Sequence, residues 1–218
     1  MTLLDLLAVA VLALVGTRLL SVARFSLRPA RRAHLVGLLR GIRARHVLPV
    51  PFVLAAVLAA ALLLMEVPGL DWGWWTALGG FGNPVTGGTE RTIGTVFEWL
   101  IPLVFVALLL PALPLLAERE EQVFRRGDEQ RTLPQRAARG LTFGLVHAIM
   151  GIPLGAALAL SIGGWYFSWC YLRGYRNGNR SQLAALTEST RAHLAYNACI
   201  VALLLVSLAA SYAISSAS

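Results

Sequence analysis

The chain has 218 residues, of which 57% are hydrophobic and only 14% charged, and its mean hydropathy is +0.66. A soluble domain carries about 25% charged residues; here apolar residues run in stretches close to the roughly 20 that cross a bilayer, which excludes an ordinary soluble domain and indicates one membrane domain. All 19 basic residues are Arg and the net charge is +8, yet the arginines fill the gaps between apolar stretches, so nucleic acid is excluded as a partner and the lipid bilayer is the expected one.

In chain order, a first span is expected over about Leu3–Leu20. Residues 1–15 carry only Asp5, and Arg18 follows the apolar run, so the pattern of a cleavable signal is absent and the span reads as retained. The stretch Arg24–Arg45 holds seven arginines and predicts a short amphipathic helix on the membrane surface, with Leu35, Val36, Leu38 and Leu39 dipping inward. His34 and His46 read as interfacial. A second span is expected over about Val47–Val67, followed by a Gly-rich loop, Pro68–Gly94, whose Trp72, Trp74 and Trp75 suit a headgroup belt.

A third span, about Thr95–Ala117, contains Pro102, Pro111 and Pro114 and is expected to kink. It runs into Glu118-Arg119-Glu120-Glu121-Gln122-Val123-Phe124-Arg125-Arg126-Gly127 and a basic linker to Arg139. Residues 140–172 then contain no Asp, Glu or Arg. As one helix they would be about 50 Å long, too long for an untilted span. Gly151 and Pro153 favour a break, giving a hairpin of two shorter segments, about Leu141–Met150 and Pro153–Tyr171. The last span is about Ala192–Ile214, preceded by Arg173, Arg176, Arg180 and Arg191. With the hairpin, and with the N-terminus outside, all three arginine-rich stretches face the cytoplasm, the C-terminus is outside, and only Arg91 lies clearly outside. Cys170 and Cys199 sit in apolar segments without a CxxC spacing and read as small buried hydrophobes.

Ionisable side chains inside apolar segments cost about 2.5–3.5 kcal/mol at a helix centre and mark functional positions. Away from the span flanks these are Glu98, Glu120, Glu121, His147 and His193, with Asn197 as an uncharged companion. Glu98, near the outer end of its span, reads as structural. The others come at helical spacing: Glu121 and Arg125, Phe143 and His147, and His193 and Asn197 are all i,i+4 pairs and so share faces. Three segments each present a pair near the arginine-rich end. Together they hold a candidate general base in Glu120, two imidazoles and an amide donor, the inventory for attack of water on a peptide bond.

These three motifs, Glu120-Glu121-x-x-x-Arg125, Phe143-x-x-x-His147 and His193-x-x-x-Asn197, resemble in order and spacing those of the CPBP family of CAAX proteases and bacteriocin-processing enzymes, the eukaryotic prenyl-protein endopeptidases among them. The resemblance covers about Leu100–Ile214. It divides the chain into N-terminal spans with their basic loop, residues 1–93, and a catalytic core, residues 94–218. Many bacterial members read Glu-Glu-x-x-Phe-Arg-Gly, whereas here Arg126 stands before Gly127. The resemblance implies an all-α polytopic membrane bundle of about six transmembrane or re-entrant segments, with a conical cavity open to the cytoplasmic side. It implies that Glu120 activates water, His147 helps to hold that water, and His193 and Asn197 form the oxyanion site. Glu121 and Arg125 would support them, and Phe143 would pack beside them.

A zinc ion held by Glu120, His147 and His193 is the alternative that older metalloprotease descriptions of the family assume. No His-Glu-x-x-His pair is present, so a metal-independent glutamate mechanism is expected, with no cofactor. The expected substrate is a membrane-anchored or C-terminal peptide, and the Arg-only composition with short loops points to a bacterial inner membrane. The runner-up is a non-catalytic immunity or scaffold protein of the same fold. A transporter is disfavoured by the absence of an internal inverted repeat, and no rhomboid-type serine turn is found.

Overall fold

The computed structural model describes residues 2–85 and 89–217, with side chains as far as residue 210. The described chain is helical, with no β-strand among the described residues. Its α-helices are α1 (Leu3–Ser26), α2 (Pro29–Arg40), α3 (Ala44–Val47), α4 (Val50–Met65), α5 (Trp74–Ala77), α6 (Phe97–Phe124), α7 (Leu133–Val146), α8 (Leu154–Ala159), α9 (Ser161–Asn177) and α10 (Gln182–Ala217). Short 3-10 turns occupy Asp128–Gln130 and His147–Met150. Four stretches are long and apolar enough to cross a membrane: Leu3–Ser26, Ala44–Met65, Phe97–Gln130 and Gln182–Ala210.

Where charges suggested helix ends, the helices continue. α6 passes through Pro102, Pro111 and Pro114 and carries Glu118, Glu120 and Glu121 in its last two turns instead of stopping at Ala117. α10 starts at Gln182 rather than Ala192, so Glu188 and Arg191 are helical. The physical reason is pairing of the acids: Glu118, Glu120, Glu121 and Glu188 find partners on other helices (His34 reaches Glu118 at 2.8 Å, for example), so they need not lie in a solvated loop. The amphipathic α2 forms as its pattern dictates, with Pro at its first position where no N–H is missed. Its apolar stripe is turned differently from expectation. Leu35 and Leu38 are buried on Leu115 and Ala117 of α6 and Leu194 of α10, Val36 is half-buried, and only Leu39 is exposed.

The uncharged stretch folds back as a hairpin. α7 and the following 3-10 turn run to Gly151, which takes a left-handed φ of 83°, and Pro153 starts the return through α8 and α9. Glycines let the two limbs touch. A Cβ at Gly144 would collide with the Ala157 carbonyl and Ser161, one at Gly140 would collide with Trp165, and one at Gly164 would lie 2.8 Å from the Gly140 carbonyl. Close backbone approach of this kind is how apolar helices associate where lipid is as apolar as their side chains. The tip of the hairpin lies against the C-terminal end of α4, where Gly155 abuts Leu64. There it is pinned by the loop after α4: the Leu154 N–H donates to the Trp72 carbonyl at 2.9 Å and Trp74 Nε1 donates to the Ile149 carbonyl at 3.1 Å. Trp75 in that loop is buried, its Nε1 donating to the Phe81 carbonyl, so it builds a loop core instead of a headgroup anchor.

The three arginine-rich stretches gather at the opposite end of the bundle. Arg45 and Arg173 meet on Glu188, Arg139 donates to the Phe124 carbonyl, and Gln182 reaches Glu129. Arg91, at the other end, pairs with Asp5. The largest core cluster joins Val50 and Leu54 of α4, Phe143 of α7, Phe167 and Cys170 of α9, and Ala192, Ala195 and Tyr196 of α10. Cys170 is fully buried and Cys199 half-buried; both are free thiols.

Candidate active site

Two consecutive carboxylates on the last turns of α6 flank one imidazole on α10. His193 Nδ1 lies 2.9 Å from Glu121 Oε1, and its Nε2 lies 3.6 Å from Glu120 Oε2. The carboxylate can only accept, so Nδ1 carries the proton toward Glu121 and Nε2 is the nitrogen left facing Glu120. At 3.6 Å the second contact is too long for a direct hydrogen bond and leaves room for a bridging water. Adjacent residues on a helix point about 100° apart, and the burial follows: the Glu121 side chain has no exposed surface, whereas Glu120 keeps 35% of its own.

Arg125, one turn after Glu121, is also fully buried. Its Nε is 3.9 Å from Glu121 Oε2, with no hydrogen bond between those atoms, so the pair is held by charge. The guanidinium carbon sits 4.9 Å from the centre of the Phe143 ring, a cation–π contact, and one of its terminal nitrogens donates to the Phe124 carbonyl at 3.3 Å. The predicted i,i+4 ion pair therefore forms, and Phe143 serves as its floor.

Phe143 links the second motif to the third. Its ring centre is 5.0 Å from that of His147 and 5.7 Å from that of His193, both edge-on, and Phe167, 5.9 Å from Phe143, stacks on His193 at 4.2 Å. His147 closes α7, and its Nδ1 donates to the Phe143 carbonyl at 2.7 Å, one turn back. That bond sets the tautomer, leaving Nε2 of this half-buried imidazole able to accept from water. Asn197 follows His193 by one turn on the same face of α10 and is half-buried. The C-terminal ends of α6 and α7 thus meet the part of α10 that carries His193: contacts join Glu120, Glu121, Arg125, Phe143, His147 and His193, and Asn197 shares their helix face on α10 alone. Glu98 stands apart; it accepts from the Gly94 N–H at 2.7 Å at the start of α6.

A zinc ion on Glu120, His147 and His193 would have Nε2 of each histidine to bind, since Nδ1 of each is held by a carboxylate or a backbone carbonyl, as in metal-bound imidazoles. Among the described residues, no three His, Cys, Asp or Glu side chains converge as metal ligands do.

A second charged cluster was not singled out in the sequence. Glu188, on α10 five residues before His193, accepts two bonds from Arg45 at 3.0 Å each and one from Arg173 at 2.6 Å. His46, expected at the interface, is fully buried instead: its Nδ1 accepts from the Arg43 N–H at 2.9 Å and its Nε2 lies 3.1 Å from Glu188. The cluster ties α3, α9 and α10 together and so sets the rotation of α10 that presents His193. The signal available in the sequence was a lone acid among Arg173, Arg180 and Arg191, which nothing in local spacing connects to Arg45. No family model, curated protein or solved structure matches the chain.

Proposed function

We propose that the chain is an intramembrane endopeptidase of the CPBP type, cutting a membrane-anchored or C-terminal peptide by glutamate-activated attack of water. The observation that supports this most is His193 standing between Glu120 and Glu121, with His147 on the same phenyl ring: three motifs distant in sequence meet around Phe143 and His193, beside the half-buried Glu120. In this reading Glu120 takes the proton of a water held by His147 Nε2, and the hydroxide adds to the scissile carbonyl. The negative charge that develops on oxygen is met by the Asn197 amide and by His193 Nε2, which can donate only when His193 carries a proton on both nitrogens. Glu120 then delivers its proton to the leaving amine. Glu121 and Arg125 hold His193 in place and do not touch substrate. No step passes through a metal ion.

The proposed setting follows the charge distribution. α1, α4, α6, α10 and both limbs of the hairpin make six crossing segments, the arginine-rich end faces the cytoplasm, and the site opens there as a cavity. α7 with its 3-10 turn spans about 29 Å, close to the roughly 30 Å of a hydrocarbon core. Both the short loops and the Arg-only composition favour a bacterial inner membrane.

The test compares cells expressing the wild type with cells expressing Glu120→Ala, His147→Ala or His193→Ala, and maps the C-termini of membrane-anchored proteins by mass spectrometry. Each variant should insert at wild-type level and leave the same tail uncleaved. A tail that is still cut in all three would sink the peptidase reading and favour a non-catalytic scaffold or immunity protein of this fold.

A further inference from the structure

A second polar cavity, which peptide cleavage does not use, opens at the arginine-rich end between the starts of α3 and α10 and the end of α9. Its volume is about 790 Å³, and its walls include Arg45, Arg173, Arg191, Glu188, Asn177 and Ser181. Glu188 is the only acidic wall residue and is already saturated by Arg45, Arg173 and His46. Three guanidinium groups against one carboxylate leave two positive charges in the cavity without a counter-charge from its walls. Arg45 and Arg173 share Glu188, and Arg191 meets no carboxylate among the described residues. Its Nε is buried with no hydrogen-bond partner, and no ion pair reaches it among the described residues. Its place is made by a glycine: a Cβ on Gly41 would collide with the Arg191 guanidinium. A long cation has thus been given room against the backbone and left without a protein anion.

We propose that this cavity binds a phosphate group, presented either by an anionic lipid headgroup or by a soluble phosphate. Guanidinium forks match phosphate oxygens two at a time, and the Ser181 hydroxyl and Asn177 amide stand in the same wall as further donors. Phosphate bound here bridges α3, α9 and α10 next to Glu188 and stiffens the start of the helix that carries His193. The proposal concerns binding alone and stands whether or not the chain cuts peptides.

The experiment uses the full chain in nanodiscs of phosphatidylcholine alone, titrated with inorganic phosphate, and in nanodiscs of equimolar phosphatidylcholine and phosphatidylglycerol. Thermal unfolding and native mass spectrometry of retained lipid are the readouts. The wild type should gain stability from at least one probe. A gain with inorganic phosphate identifies a soluble ligand; a gain only with phosphatidylglycerol, together with lipid retained through detergent exchange, identifies a headgroup. Arg191→Gln should weaken that response about tenfold or more. Gly41→Ala, which keeps every charge but displaces the guanidinium, should weaken it too, so the result does not hang on the folding of one variant. Arg24→Gln, on the exposed surface of α1, should respond like the wild type. No response of the wild type to either probe, a full response in Arg191→Gln, or an equal loss in Arg24→Gln each overturns the proposal.

Discussion

Glu121 has no exposed surface and sits 2.9 Å from His193 and 3.9 Å from Arg125, whereas Glu120, one residue earlier, keeps about a third of its side chain in the open. The two glutamates should therefore separate stability from activity. Glu121→Gln leaves a buried guanidinium without its counter-charge, and removing one partner of a buried pair costs about 3–5 kcal/mol; thermal unfolding in detergent should show a large loss. Glu120→Gln should unfold close to the wild type, within about 1 kcal/mol, while abolishing cleavage. Equal destabilisation by both changes would contradict the division of roles. In the glutamate mechanism a chelator should leave cleavage intact; inhibition that Zn²⁺ reverses, with stoichiometric bound metal, would overturn it. The residues of this site were legible in the sequence because each pair has the i,i+4 spacing of one helix face. Glu188 and His46 were not, because their pairing with one another and with Arg45 and Arg173 is a tertiary event: Arg45 and Glu188 are 143 residues apart, and no periodicity reports on that.

At the scale of elements, the α7–α9 hairpin depends on glycines that bring backbones together. Gly144→Ala puts a methyl group into the Ala157 carbonyl and Ser161, atoms that cannot swing aside like a side-chain tip. Overpacking of this kind costs about 1–3 kcal/mol, and the hairpin must open to relieve it. The expected outcome is a lower unfolding temperature together with loss of cleavage, since His147 at the end of α7 moves with the limb. Gly16→Ala, where a Cβ meets nothing within 4 Å, is the control that should change neither. The break at Gly151 and Pro153 could be read directly from residue type, as left-handed φ and a missing N–H are local properties. The ends of α6 and α10 could not. Charges such as Glu118 and Glu188 mark a span boundary in hydropathy, but helix propensity does not stop at a charge that finds a partner on a neighbouring helix.

For the whole molecule, the gathering of Arg45, Arg139 and Arg173 at one end and the Asp5–Arg91 pair at the other give the bundle a polarity that labelling can check. In a background with Cys170→Ala and Cys199→Ala, single cysteines at Arg28 and Arg180 should react with a membrane-impermeant maleimide from the same side, and one at Glu90 from the opposite side. Labelling of positions 28 and 180 from opposite sides would mean that the hairpin crosses only once. The helices also differ in how far each stands alone. Among the described residues four stretches are long and apolar enough to cross a bilayer, and neither limb of the hairpin is among them: α7 carries Arg136 and Arg139, and the return limb is interrupted at Leu160 and ends with Arg173 and Arg176. Both limbs share one core with Ala192, Ala195 and Tyr196 of α10. A change that unseats α10 should therefore displace His147 together with His193, so the two imidazoles are gained or lost as one.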